Sequence, residues 1–469
     1  MESAKLSLPP LPLAVGSGLA ATGLLLAVLA LAPEALPLLV VAGIGLLALL
    51  VWAPSVAAPR TVGLIVVSIL SIAALGGDDG TDAFEVAFGV ALLLYPVLWY
   101  VLSAAEGYRC IRTGPDLAYV LFLAVALVFG VGLAARGDGF SAEFRSDITT
   151  VLAFAMWLPA REVCIRHRYG PRIIATLLIG LGVVAAISAA VRLQMALSSA
   201  EAFYEVVDVR IASGEIQVIG ALLTAMCTLA VVRTLGMRVV LLAATGLLLG
   251  GLILAKSRGP WVAAAVALMI AGSLLPGHGK RRLVGFSLLG AALLVGGAIA
   301  VLGDELALIG IGLARRLFSI SSAFTADVSL LNRYEETASA WREIQQSPIL
   351  GHGWGAQVFR KDLIANGTLS WGFIHNGYIW LWHKVGILGL TLFLIPFGTS
   401  VLYGIRAATS AALAHEERAY AAASVGAVLA FAVLGLPSNP FAVLDQMLIV
   451  TLAMALASGL YHRSLRYAH

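Results

Sequence analysis

Residues 238–261 read RVVLLAATGLLLGGLILAKSRGPW. Between Arg238 and Lys256 no side chain is charged, and Thr245 alone carries a polar group. A helix over that run covers about 25 Å at about 1.5 Å per residue, close to the roughly 30 Å hydrocarbon core of a bilayer. Runs of the same kind recur near 11–32, 37–53, 61–76, 83–104, 117–135, 146–160, 172–195 and 215–233. They continue near 260–276, 283–303, 378–403, 418–436 and 442–461. Counted with 238–256 they make fourteen; the short ones (61–76, 146–160) read equally as tilted, re-entrant or buried helices, so the expectation is 12–14 spans. The runs are continuous rather than alternating, which predicts helices and excludes a barrel. Across 469 residues, 60% are hydrophobic and 12% charged, and the mean hydropathy is +0.95. Soluble domains carry about 25% charged residues, so a soluble enzyme is excluded. The fold class expected is all-α: a polytopic transmembrane helical bundle with a long, partly helical outer loop.

Charge sets the orientation. With a cytoplasmic N-terminus, the inside segments hold Arg109 and Arg112, the group Arg161 to Arg172, Arg233 and Arg238, Lys280 to Arg282, Arg406 and Arg418, and Arg463 and Arg466. The short outside loops are neutral or acidic, as in Gly77 to Asp82 and Glu201 to Asp208. This is the positive-inside pattern, and it puts both termini in the cytoplasm. The first run, with Lys5 alone as its basic flank and Pro9, Pro10 and Pro12 at its start, does not read as a cleavable signal. A net charge of +4 is too mild to argue for nucleic acid. The three cysteines, Cys110, Cys164 and Cys227, show neither metal-site nor disulfide spacing. Four regions follow: N-terminal spans over 1–200, spans bearing outer-face arginines over 201–303, the long outer loop over 304–380, and C-terminal spans over 381–469.

The outer loop breaks the charge pattern, because it keeps basic residues on the side that otherwise lacks them. Asn332-Arg333-Tyr334-Glu335 opens a predicted helix that Pro348 stops, with Asn332 as N-cap and Glu335 completing a capping box. Arg333 in the first turn of such a helix makes an anion site; the alternative is an exposed arginine on an amphipathic helix. Pro348-Ile349-Leu350-Gly351-His352-Gly353-Trp354-Gly355 predicts a tight turn that lets backbone approach a ligand closely, and it matches no nucleotide-binding fingerprint. His375, in Trp371-Gly372-Phe373-Ile374-His375-Asn376-Gly377-Tyr378, falls where the next span begins. It suits a general base or a phosphate donor, or else an interfacial histidine in an aromatic belt. Arg258, in the tight turn Lys256 to Trp261, and Arg210, ahead of the span from Glu215, share that side. Lone arginines at membrane surfaces usually snorkel, so the clue is the grouping of Arg210, Arg258, Arg333 and His375 on one face.

The order of these motifs resembles the O-antigen ligase and polysaccharide polymerase superfamily of bacterial inner membranes. The resemblance lies in Ser257-Arg258 at an outer turn and in Arg333 leading to Pro348-Ile349-Leu350-Gly351-His352-Gly353. It continues in His375-Asn376 ahead of Gly386-Ile387-Leu388-Gly389, and covers roughly residues 205–405. Arg210 looks like the further arginine such proteins carry, although the asparagine common a few residues later is here Gln217.

The resemblance implies a GT-C-like glycosyltransferase working at the periplasmic face. Its donor would be a glycan on undecaprenyl pyrophosphate and its acceptor another glycan or the lipid A core. The bilayer and other polysaccharide assembly proteins would be its surroundings. It implies Arg210, Arg258 and Arg333 as pyrophosphate-binding residues, with Arg258, Arg333 and His375 catalytic and Asn376 and Tyr378 in support. Pyrophosphate is already a competent leaving group, so positive charge matters more than a general acid. The loop shows no carboxylate cluster of the magnesium or manganese type, and no metal or other cofactor is expected. The His-Asn-Gly-Tyr wording and the span count lean towards a polymerase over a ligase. A protein-glycosylating member ranks third, since that branch commonly carries a large extra C-terminal region. A lipid-linked glycan flippase or transporter, the competing class, would place ionisable residues near the midplane or show repeated halves; Glu85, Arg192 and Asp445 instead fall towards span ends.

Overall fold

The computed structural model describes residues 63–65, 67–68, 83–106, 111–135, 141–199, 215–254, 258–288, 328–362 and 367–467. The expected spans at 11–32 and 37–53, most of 61–76 and 283–303, and the loop up to residue 327 lie outside the described residues, so the span count stays an expectation.

Helices occupy nearly every other expected run: α1 Ala83–Ala105, α2 Gly114–Ala134, α3 Ala142–Ala155, α4 Trp157–Arg166, α5 Gly170–Ser199, α6 Glu215–Val231, α7 Leu235–Leu254 and α8 Arg258–Leu274. After the gap come α9 Val328–Ile344, a hairpin of β1 Val358–Asp362 and β2 Gly367–Trp371, then α10 Gly377–Thr409, α11 His415–Leu434 and α12 Leu444–Tyr467. Among the described residues seven helical stretches are long and apolar enough to cross a membrane, with α3 and α4 forming one of them. The chain is an all-α polytopic bundle, and the hairpin, Val358 opposite Trp371 through Asp362 opposite Gly367, is a small β addition to the loop.

Helices α11 and α12 form the centre. Helix α11 lies against α6, α8, α10 and α12, and α12 packs on α3, α4 and α10. The reason is side-chain size. The run AAASVGAV in α11 lets backbones meet, so that Gly426 lies against the Ala267 carbonyl and Gly404 of α10 against Val425, while Gly459 of α12 meets Cys164 of α4. In lipid, where apolar burial gives helices little reason to associate, such close packing is what holds them. The outer helices present Val128, Val239, Val262, Met269 and Leu402 outward, an exposure suited to acyl chains rather than water.

Basic residues meet at one end of the bundle. Arg172 pairs with Glu416 at 2.8 Å, Arg463 reaches the carbonyls of His167 and Arg168, and His278 lies beside His415. Near the same end, fully buried Arg161 is paired with Asp116, which also closes the capping box of α2 with Thr113. These are segments the charge bias assigns to one side, and they do share one end.

At the opposite end the loop is fastened by two helix defects. Helix α10 breaks at Gly386 (φ 68°, ψ 179°). The break leaves backbone groups unspent, and the Pro-Ile-Leu-Gly-His-Gly stretch takes them up: His352 and Gly353 N–H donate to the carbonyls of His383 and Lys384, and Ile387 and Leu388 N–H donate to those of Pro348 and Ile349. Helix α2 loosens into a π-turn over Val125–Gly130. Trp354 fills that turn, its indole N–H on the Ala126 carbonyl at 2.7 Å and its backbone N–H on that of Gly130.

Gly351, Gly353 and Gly355 all have positive φ. A Cβ there would strike the backbone of Lys384 and Gly386, of Gly130 and Ala134, and of Phe144 respectively. The expected close approach is therefore real, but its partner is the protein's own backbone and not a ligand. Gly386→Ala should cost at least about 2 kcal/mol, from left-handed backbone strain plus collision with the Ile349 carbonyl. Gly398→Ala in the same helix, with open space around it, should be near neutral; thermal unfolding of the two variants in detergent checks the contrast.

Candidate functional site

Helix α9 begins at Val328, four residues before the expected N-cap. Asn332 is thus a buried interior residue, Glu335 closes no capping box, and Arg333 is not in the first turn. The capping reading failed because Val328 to Leu331 continue the helix backwards. The anion site expected from a free helix N-terminus at Arg333 falls with it. Instead the Arg333 guanidinium extends to the Pro437 carbonyl at 2.9 Å, in the turn that joins α11 to α12.

One helical turn beyond Arg333 lies Glu336, whose side chain is buried. Its carboxylate receives both hydrogen-bonding groups on the near side of His375: the backbone N–H donates to Oε1, and ring Nδ1 lies 3.1 Å from each oxygen. The ring stays about one-third exposed (35%), with Phe373 edge-on to it at 5.2 Å. Residues 374–378 are held from behind by the α11–α12 turn. Asn439 Nδ2 donates to the Ile374 carbonyl at 2.8 Å, Gly377 N–H donates to the Gly435 carbonyl at 2.8 Å, and Tyr378 O–H donates to the Ala432 carbonyl at 2.8 Å. Asn376 caps α10, its Oδ1 accepting from the N–H of Tyr378 and Ile379. Asn376 and Tyr378 therefore shape the segment that carries His375. Gly377 leaves no room for a Cβ beside Phe441 and Asn439.

Arg333 and His375 thus converge on one end of the bundle, through Glu336 and the turn 435–443. Arg258 opens α8, and its neighbour Gly259 lies against Leu434 at the end of α11, so the backbone of Arg258 sits at this same end. Arg210 lies outside the described residues. The helix it precedes carries Gln217, whose amide bonds Asp445 at the start of α12, again at this end.

Two charged groups brace the loop underneath. Lys384, fully buried, pairs with Asp147 at 2.8 Å and donates to the Ala356 carbonyl at 2.5 Å, while Asp147 also accepts from Gly355 N–H at 2.8 Å. Glu343 at the end of α9 accepts from His383 Nε2 at 2.8 Å. Burial would raise the Glu343 carboxyl, but the hydrogen bond and charge of His383 and the Phe359 N–H outweigh it and hold it below the usual range. His352 stacks on His383 at 4.9 Å and binds the Glu343 carbonyl. Among the described residues no group of three or more His, Cys, Asp or Glu has the arrangement of a metal site.

Glu336, Asn439, Lys384 and Asp147 escaped sequence reasoning. Lys384 had a usable signal, since a lysine within an apolar run beside Gly386 needs a partner; Asp147 and Asn439 stand in unremarkable contexts.

Residues 243–394 match the family described as O-antigen ligase, Wzy_C. The match takes in Arg258, Arg333, Glu336 and His375. No curated protein matches the chain.

Asp147→Ala leaves the Lys384 ammonium buried and unpaired, and should cost about 3–5 kcal/mol. Loss of thermal stability, with faster proteolysis of residues 345–372 than of the spans, is the expected reading.

Proposed function

We propose that this membrane protein, whose residues 243–394 match the O-antigen ligase family, moves a glycan from undecaprenyl pyrophosphate to a sugar hydroxyl at the periplasmic face of the bacterial inner membrane. The carrying observation is the convergence of Arg333 and His375 on the end of the bundle where the backbone of Arg258 also lies. In this reading the acceptor hydroxyl attacks the anomeric carbon in line, the bond to pyrophosphate breaks with inversion, and the hydroxyl proton passes to His375. Arg258, Arg333 and Arg210 hold the donor and balance the charge that grows on the departing pyrophosphate, a task that needs no metal. His375 suits the role of base because its ring is reachable and only one of its nitrogens is occupied by a described partner.

The paired ions weigh against a flippase or transporter. Lys384 with Asp147, and Arg161 with Asp116, lie within about two turns of the ends of their spans. Transport pathways place ionisable groups nearer the midplane.

The acceptor is most simply a second lipid-linked glycan, making the protein a polysaccharide polymerase. Transfer to lipid A core is the second reading, favoured by the description of the matched family as a ligase. Purified protein given undecaprenyl-pyrophosphate glycan separates the two: laddered products with lipid-linked acceptor mark a polymerase, and single-step transfer to core marks a ligase. Transfer to neither overturns the reading. His375→Ala should lower transfer about 10²–10⁴-fold, and Arg258→Ala or Arg333→Ala about 10²–10³-fold, with membrane insertion intact by protease mapping.

A further inference from the structure

We propose that Glu336 is the positioning residue for His375, fixing the imidazole in the tautomer and orientation in which Nε2 is the nitrogen that receives the proton. This rests on the reading of His375 given above and adds the group that makes it workable.

Three observations carry it. First, the carboxylate of Glu336 takes the His375 main-chain N–H on Oε1 while ring Nδ1 sits 3.1 Å from both oxygens. Main chain and ring are therefore gripped by one group, which removes rotation of the segment and of the ring together. Second, an oxygen already accepting an N–H behaves as an acceptor, so the nitrogen facing it carries hydrogen, and the hydrogen on Nδ1 leaves Nε2 with its lone pair. Third, Glu336 is 1% exposed whereas His375 is 35% exposed. The carboxylate is shielded behind the ring and the ring is presented outward, the order required when an acid acts through an imidazole rather than on substrate directly.

The bookkeeping of the step closes without another reactant. The acceptor oxygen forms the new bond to the anomeric carbon, the old bond to phosphate oxygen breaks with its electron pair leaving on pyrophosphate, and the hydroxyl proton moves to Nε2. The imidazolium so formed keeps its Nδ1 hydrogen on Glu336, whose negative charge offsets the new positive one. Glu336 takes no part in the proton transfer itself and acts through the imidazole. Arg333, one turn away on the same helix, couples the two halves of the site: the register that presents the carboxylate to His375 also sets the guanidinium at the Pro437 carbonyl.

The test joins turnover with ring spectroscopy on the full-length protein in detergent. With undecaprenyl-pyrophosphate glycan and the acceptor that supports transfer, E336A and E336Q should each lower turnover at least about tenfold, with donor binding retained and E336D restoring part of the loss. In ¹⁵N-histidine spectra of the unliganded protein, the His375 resonances, assigned by their disappearance in H375Q, should report a bare Nε2 in wild type and a tautomer mixture in E336A. Should E336A not fold, E336Q, which keeps an oxygen acceptor in place, carries the turnover comparison, and the wild-type spectrum alone decides the tautomer. A hydrogen on Nε2 in wild type, or E336Q turning over within about twofold of wild type while H375A is inactive, overturns the assignment of Glu336 and leaves the role of His375 standing. Normal turnover by H375A overturns both.

Discussion

The candidate site depends on backbone hydrogen bonds exchanged across a broken helix. In an intact helix the carbonyls of residues 383 and 384 and the N–H groups of 387 and 388 would bond within the helix. In α10 the left-handed turn at Gly386 releases them, and the turn segment Pro348 to Gly353 takes all four. An unpaired backbone group inside a membrane costs several kcal/mol, so break and segment require each other. Arg333, Glu336 and His375 then inherit their positions from that joint. Helix α9 is tied to it through Glu343 and His383, and the stretch 372–378 runs directly into α10.

Around the joint, each irregularity is matched by a group that uses it. The π-turn of α2 is filled by Trp354, and buried Lys384 and Asp147 satisfy each other while bonding the loop main chain at Ala356 and Gly355. Buried polar groups are tolerable only when partnered; Lys384 and Asp147 partner each other across two helices, and the loop main chain supplies the rest. The bundle end is therefore completed by the loop that carries His375, which gives a site on a loop the rigidity of one built on helices.

Much of this was legible in the sequence, for physical reasons that also mark the limit. The runs near 117–135, 238–256 and 378–403 announce helices because lipid leaves the backbone no other solution, and α2, α7 and α10 follow. Gly351, Gly353 and Gly355 announced a close approach, since glycine at alternate positions costs entropy that something must justify. What they could not announce was the partner, because the backbone they meet is more than 30 residues away at Lys384 and more than 200 away at Gly130 and Phe144. The pair Glu335-Glu336 shows the same limit more sharply. Two adjacent identical residues are distinguished by helix phase alone, and placing the helix start at Asn332 assigned a role to Glu335. The start at Val328 turned Glu336 inward instead.

Lys384 has one more consequence. Its ammonium group bonds the Ala356 carbonyl and lies beside Gly372, the points where the hairpin β1–β2 leaves the bundle and returns to it. The hairpin thus leaves and re-enters the bundle beside one buried cation, with β1 held against α9 by buried Val358 and by the Phe359 N–H on Glu343. Lengthening a loop whose ends are already held adds closure entropy only logarithmically. Material added between β1 and β2 would therefore be borne by solvent and the hairpin, without displacing His375 or the joint at Gly386. That makes the connection between β1 and β2, rather than β1 itself, the part whose size and chemistry can be reshaped towards whatever molecule is presented at that end of the bundle.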